Sequence, residues 1–435
     1  MPRRHLTLRD ELKLAFQRAL QEIIPDPPNR IPLTWRTAPH SFAYVVPLLF
    51  MAYLSRRRDT QIMRLLLLPT TIFLAVRGTF AYDAFNPDYY FYTWVRGLAG
   101  LTAIGMALDF ALSQTDRMKV GERTLPAINE PERVPTDDDN AKGLVKPSNS
   151  SYFPKWYLDA MDALCSMRGI DWNFGKGVYV PPETRPLERN AWLKATFKLF
   201  LFNFIVGDFC ETVIKLIPGI GDTTGGSLFR NDLPPFSRYV VSTVYMLLAA
   251  FTLSTGMAAL TLGIALVGVG ILGQSPTQWP PLIDNPWAAQ SVSEFWAKRW
   301  HQALRRTFII FGGIPGEYLF GRLGRIMGTF LASGLFHEFG TYLMGRGMDH
   351  RVTMFFVIQG VAVVLEWTFK KVTGKRVGGF LGRIWTYFFI LGLGQMCIDA
   401  WFERGLAGAL IVPPAISPSR RIIIPTLRRL FASRS

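Results

Sequence analysis

Thr329, Ser333, His337 and Thr341 recur every four residues within GTFLASGLFHEFGTYLMG, a stretch that is otherwise apolar apart from Glu338. On an α-helix that spacing aligns three hydroxyls and an imidazole along one stripe. Such a stripe belongs against protein or a cavity, because hydrocarbon offers it no partner. For the hydroxyls, interhelical hydrogen bonding is a sufficient account; Ser333, one turn before His337, is also a candidate for contact with a substrate. The imidazole is more telling, since ionisable groups at membrane depth are rare and mark pathways or reaction centres. A neutral imidazole can take the proton from an alcohol as its oxygen attacks a carbonyl, with no covalent intermediate. Glu338 points about 100° away on the helix, so it is expected to orient a neighbouring group or to pair with Arg322 or Arg325.

Other chemistries lack their residues. HEFGT resembles the start of a zinc helix, but Thr341 stands where the second imidazole is needed. GVGILG at 268–273 matches G-x-G-x-x-G yet ends an apolar helix instead of joining a strand to a helix, which points to close helix packing. There is no G-x-S-x-G elbow, and neither His301 nor His337 has an Asp four or five residues downstream. Cys165, Cys210 and Cys397 form no CxxC pair, so neither a disulfide framework nor a thiolate metal site is indicated. His5, His40 and His350 fall near expected termini or loops and are assigned no role.

The elements that must position His337 are membrane helices. Hydrophobic residues make up 49% and charged residues 18% of the chain, and the apolar ones are gathered into runs long enough to cross a bilayer. Eight spans are predicted, at 41–54, 65–85, 91–112, 195–217, 239–272, 326–344, 352–369 and 380–401, forming an all-α polytopic bundle. The first is short, and the fifth is long enough to tilt, bend near Gly256 or project beyond the bilayer. The net charge of +16 reflects Lys and Arg beside the apolar runs, which indicates membrane topology and not a nucleic-acid site. Alternation places Arg56, Arg57, Arg58, Arg64, Arg117, Lys119, Arg299, Arg305, Arg306, Lys370, Lys371 and Lys375 on one face, expected to be cytosolic. It also puts both basic termini on the opposite face. Arg77, Asn203, Asp208, Glu211, Glu366, Gln395 and Asp399 are intramembrane polar groups numerous enough to line a cavity jointly.

The expected organisation is an interfacial N-terminal segment (1–40) with an amphipathic helix, N-terminal spans (41–112), a cytosolic polar insertion (113–193), a membrane domain (194–403) and a basic tail (404–435). Within the insertion, TDDDNAKGLVKPSNSS reads as a linker, whereas Trp156, Tyr157, Trp172 and Phe174 suggest a second half docked on the protein. In the segment 279–308 a helix is predicted from Ser291, capped by Ser291 or Ser293. Trp296, Trp300, Leu304 and Phe308 recur every four residues there, the layout of a helix lying along the membrane interface.

FWAKRWHQ (295–302), followed by an apolar helix bearing SGLFHEF, resembles the membrane-bound O-acyltransferase superfamily in its wax synthase-like branch. RGIDWNFG (168–175) resembles the RGIGWN element of fungal members. The resemblance covers roughly residues 150–400 and implies a helical bundle around an internal tunnel. It implies His337 as catalytic base, and it places His301 where many members carry Asn; a histidine there can titrate as well as hydrogen-bond, so both catalysis and positioning are open to it. Trp296, Arg299 and Trp300, with Ser333 and Glu338, are the candidate substrate-binding residues. The implied reaction moves an acyl group from acyl-CoA, a co-substrate and not a resident cofactor, to a lipophilic alcohol entering through membrane lipid. No metal is implied. Lys298, Arg299, Arg305 and Arg306 stand where the phosphates of CoA would arrive. The fungal motif favours an acetyl group and a secondary-metabolite acceptor such as a terpenoid, in the endoplasmic reticulum. A wax-ester or sterol-ester synthase is the alternative, and a membrane transporter the alternative from another class.

Overall fold

The computed structural model describes residues 7–128 and 153–432. Among these the only strands are a parallel pairing of Ile31–Pro32 with Tyr82–Asp83; the rest of the regular structure is helical. The longer helices are α1 (Leu8–Ile23), α2 (Val45–Ser55), α3 (Gln61–Phe80), α4 (Tyr90–Leu112), α5 (Lys155–Cys165), α6 (Arg189–Lys215), α7 (Pro235–Gly270), α8 (Ile314–Leu343), α9 (Arg351–Thr373), α10 (Gly379–Glu403) and α11 (Ile424–Ala432). The linker-like TDDDNAKGLVKPSNSS lies outside the described residues.

Among the described residues five helices are long and apolar enough to cross a membrane: α3, α4 with its leading turn, α7, α9 and α10. The other three expected segments, at 41–54, 195–217 and 326–344, fall on helices that are shorter or more polar. At 11 residues α2 reaches only about 16 Å, about half the hydrocarbon thickness. Lys194, Lys198, Asp208 and Glu211 interrupt the apolarity of α6. The 36-residue α7 runs unbroken through Gly256, and at about 54 Å it is longer than one crossing needs.

α8 holds a reversal that its apolar pattern does not announce. Phe320 (φ −135°, ψ 20°) and Gly321 (φ 58°, ψ −144°) turn the chain back on itself, so residues 305–320 and 322–343 form a helical hairpin. Glycines let the arms touch. A Cβ on Gly312 would lie 2.0 Å from the Gly328 carbonyl oxygen, and one on Gly316 2.1 Å from that of Gly324. The second arm carries His337.

The loops after α2, α4, α7 and α9 gather on one face. There Arg56 pairs with Glu122 and Asp159, Arg168 donates to the carbonyls of Pro280 and Pro281, and the Gly379 amide donates to Gln290. These are the loops that alternation makes basic. On the other face Arg346 donates to the Thr224 carbonyl, Lys215 to that of Gly408, and Arg77 to that of Glu22 at the end of α1.

The intramembrane acids are staples and do not line a common cavity. Asp208 accepts from Ser417 and the Ser419 amide, and Glu211 from Arg420 and the amides of Ile411 and Val412. Asp399 accepts from Ser227, the Leu228 amide and Arg351, while Gln395 bonds Ser242 and Thr243. Each tethers a loop or neighbouring helix that would otherwise leave polar groups unmet in hydrocarbon.

Candidate active site

His337 is enclosed by rings from four elements. Phe356 of α9 stacks on it at 4.6 Å between centroids and 14° between planes. Phe308 lies at 6.1 Å, and Trp94 of α4 and Trp401 of α10 at 6.3 Å each. Its Nδ1 is 2.7 Å from the Ser333 carbonyl oxygen. A carbonyl only accepts, so Nδ1 carries a proton, and in the neutral ring Nε2 keeps the lone pair. Helical geometry alone makes this bond, since Ser333 is one turn earlier. Thr329 and Thr341 instead bond the carbonyls of Arg325 and Glu338, the use expected of hydroxyls in a membrane helix.

The segment after Ser291 does not form the predicted interfacial helix. Ser291 caps its start by accepting from the Glu294 amide; Ser293 does not. The helix then loosens into a π turn at Phe295–Arg299, Trp300 is extended (φ −86°, ψ 161°), and helix resumes only at Arg305–Phe308. Two buried side chains secure the break. Glu366 accepts from the amides of Val292 and Ser293 and from the Trp385 indole, and the Gln302 amide donates to the carbonyls of Trp296 (2.6 Å) and Trp300 (3.1 Å). The break turns Trp296, Trp300 and His301 inward, where a continuous helix would have laid them along the interface.

They meet His337 around a cavity of about 470 Å³, lined by His301, His337, Ser333, Trp296 and Trp300 among mostly apolar side chains. Nδ1 of His301 is buried with no hydrogen-bond partner. Residues of three π turns border the cavity: Trp296, Ile309 and Ile390. Such turns rotate side chains out of helical register and often occur at functional sites.

Arg299 and Glu338 lie elsewhere. Arg299 is held by Asp284 (3.1 Å) and Glu294 (2.8 Å), so its charge is spent on its own segment. Glu338 is fully buried and accepts from the Asp349 amide at 2.6 Å, tying down the loop between α8 and α9. Neither anticipated arginine pairs with it: Arg325 binds Glu317 and Arg322 lies over Trp367. Of the basic residues expected to meet phosphates, Lys298 sits over Tyr179 and Arg306 is paired with Asp109. Arg305 and Arg325 line the cavity.

RGIDWNFG clamps this wall to the N-terminal helices. Phe174 lies between two guanidiniums, 4.0 Å from Arg117 and 5.1 Å from Arg306, and both arginines bind Asp109 of α4. Trp172 is buried beneath Arg56, and the Asn173 side chain donates to the Asp116 carbonyl. The second half of the insertion is therefore docked. Trp94, Phe356 and Trp401 have no sequence signal, and that of Phe308 read as interfacial, because an aromatic at helical spacing looks the same facing lipid or histidine. Among the described residues no group of three His, Cys, Asp or Glu side chains is placed to hold a metal ion.

Fold and site together define a multispanning helical membrane protein with two imidazoles in one largely apolar cavity. Residues 279–358, which contain both, match the membrane bound O-acyl transferase family. It is 25% identical to an O-mevalon transferase of Aspergillus niger over 48% of this chain and 51% of that protein. It is 26% identical to an acetyltransferase of Hericium erinaceus over 54% and 63%. An acyl-CoA–sterol O-acyltransferase of Arabidopsis thaliana is 30% identical over 32% and 40%. The matches to the two fungal relatives thus span about half to just over three fifths of their length. No solved structure matches.

Proposed function

We propose that the protein is an integral membrane O-acyltransferase, of the endoplasmic reticulum, that moves an acetyl group from acetyl-CoA to a hydroxyl of a lipophilic secondary metabolite such as a terpenoid. The observation that carries the acyl-transfer reading is the tautomer of His337: Nδ1–H is spent on the Ser333 carbonyl, and Nε2 has no protein partner among the described residues. As the alcohol oxygen attacks the thioester carbonyl, its proton passes to Nε2. When the carbon–sulfur bond breaks, the leaving thiolate takes that proton from the imidazolium. His301 is the second polar group available to hold the hydroxyl or the carbonyl oxygen. The largely apolar lining suits a lipophilic acceptor and excludes the water that would hydrolyse the thioester.

The names of the fungal relatives support the choice of a small acyl group, and the plant sterol relative supports long-chain ester synthesis as the second reading. The test is His337→Ala in membrane vesicles, supplied with acetyl-CoA or palmitoyl-CoA and a panel of lipophilic alcohols. Ester formation should fall by roughly 10²–10⁴, the usual contribution of a positioned base. Unchanged turnover in a folded variant would refute the assignment, and preference for palmitoyl-CoA would favour the second reading.

A further inference from the structure

At one part of the cavity wall Trp287 stands between two helices long and apolar enough to cross the membrane. On the face reached first by the N-terminus of α10, the turn Pro286–Ala288 stands between α7 and α10. Trp287 touches both helices: its ring is 5.1 Å from that of Phe251, and its carbonyl accepts from the Tyr387 hydroxyl at 2.8 Å. Nearer the opposite face the two helices join directly. There Ser242 bonds Gln395 at 2.7 Å, and Met246 packs so closely on Gly394 that a Cβ would lie 2.7 Å from its methyl carbon.

Trp287 lines the cavity, while Phe251, which its ring meets, and Phe388, next in the chain to Tyr387, are 38% and 56% exposed on helices long and apolar enough to cross the membrane. Exposed rings on such helices are expected to meet lipid. Trp287 is thus the partition between hydrocarbon and cavity at this seam. Its backbone is held firmly: Pro286 has a restricted φ, Asn285 before it adopts a left-handed conformation (φ 39°), and Tyr387 holds the carbonyl. The wall across from it is made of small or pliable side chains, Ala250, Ser254 and Met257, one to two turns apart on α7.

We infer that the gap between Trp287 and this face of α7 is the entrance by which the alcohol acceptor passes from the bilayer into the cavity, and that Trp287 sets the cross-section of the alcohol admitted. The inference rests on the acyl-transfer reading for the identity of the passenger. With the backbone fixed, only the indole and the α7 side chains can yield, so width at this point is a matter of side-chain volume.

The test uses full-length protein in phosphatidylcholine vesicles and two photoreactive alcohols, a diazirine-bearing hexadecanol and a diazirine-bearing cholesterol. Labelling of the cavity-facing peptide of α7 is read by mass spectrometry. Trp287→Ala should raise the sterol-to-hexadecanol labelling ratio roughly tenfold, the discrimination that a small change of fit produces in an apolar pocket. Trp287→Phe should stay near wild type, and Ala250→Leu on the facing wall should lower the ratio. The Ala250 variant also keeps the test decisive if Trp287→Ala misfolds. A ratio unchanged by both changes of volume would overturn the inference. Labelling requires no turnover, so persistent ester formation in His337→Ala would sink the acyl-transfer mechanism while leaving the portal result standing.

Discussion

Replacing Asp109 by Asn should loosen the wall that carries Phe308 against His337. Asp109 takes two bonds from Arg306, at 2.5 and 2.6 Å, and another from Arg117. Its side chain is 11% exposed and that of Arg117 2%, so neither charge is rescued by solvent. Removing one partner of a buried ion pair costs about 3–5 kcal/mol, because the remaining charge is left uncompensated. Arg306 is 33% exposed and can recover some hydration, which places the expected loss near the low end, about 3 kcal/mol. At roughly 2.1 cal/mol/K per residue, a chain of this size unfolds with about 0.9 kcal/mol/K, so the midpoint should fall about 3–4 °C.

The assay is thermal unfolding in detergent, followed by a thiol-reactive fluorophore as the buried Cys210 and Cys397 become exposed. Arg306→Gln alone should also destabilise. The double variant should lose less than the sum of the two by at least about 1 kcal/mol, because the bond is broken only once. Turnover should drop with stability, since Arg306 shares the short helix Arg305–Phe308 with Phe308. Strict additivity of the two variants would refute the coupling assigned to this network.

Three further outcomes are expected. Arg305→Glu should raise the KM for the CoA donor roughly tenfold with kcat little changed, and the difference should shrink as salt rises, because Arg305 lines the cavity with no acidic partner among the described residues; an unchanged KM would remove Arg305 from the donor site. Arg351, through its hydrogen bonds, and Arg404 hold the Asp349 carboxyl at about 2, below its ordinary 3.8. A depressed carboxylate stabilises the fold above its unfolded value, so this contribution should be constant at neutral pH and decline as pH falls from 3.8 towards 2. Asp349→Asn should flatten that part of a stability–pH profile, and an identical acid limb in both proteins would contradict it. His301→Asn should keep most turnover if His301 positions a substrate, whereas a loss matching that of His337→Ala, with a shifted pH–rate profile, would make it a second proton carrier.

Much of the helical frame was legible from local spacing. The apolar runs locate α3, α4, α7, α9 and α10, because burial in hydrocarbon needs only length and composition. Span count was less legible: α2 is apolar but short, and α6 carries acids whose partners lie some 200 residues away at Ile411 and Arg420. The site was half legible. His337, Ser333, Trp296, Trp300 and His301 share the cavity, while Arg299 and Glu338 serve their own segments. Charge next to a motif does not reveal whether an acid already neutralises it.

By itself the sequence determined that the chain is a membrane helix bundle and that His337 lies on a polar stripe one turn from Ser333, since helical periodicity follows from residue order alone. It also narrowed the cap of the helix after it to Ser291 or Ser293, of which Ser291 makes the bond, an interaction across three residues. Only the tertiary structure decided that the helix after Ser291 breaks and brings His301 to His337. That break depends on Glu366, 74 residues away from the Val292 amide it binds. The reversal at Phe320–Gly321 and the glycine contacts of the hairpin are of the same kind. A buried carboxylate or a ring against an imidazole acts through space, and spacing along the chain carries no record of which distant residue will arrive there.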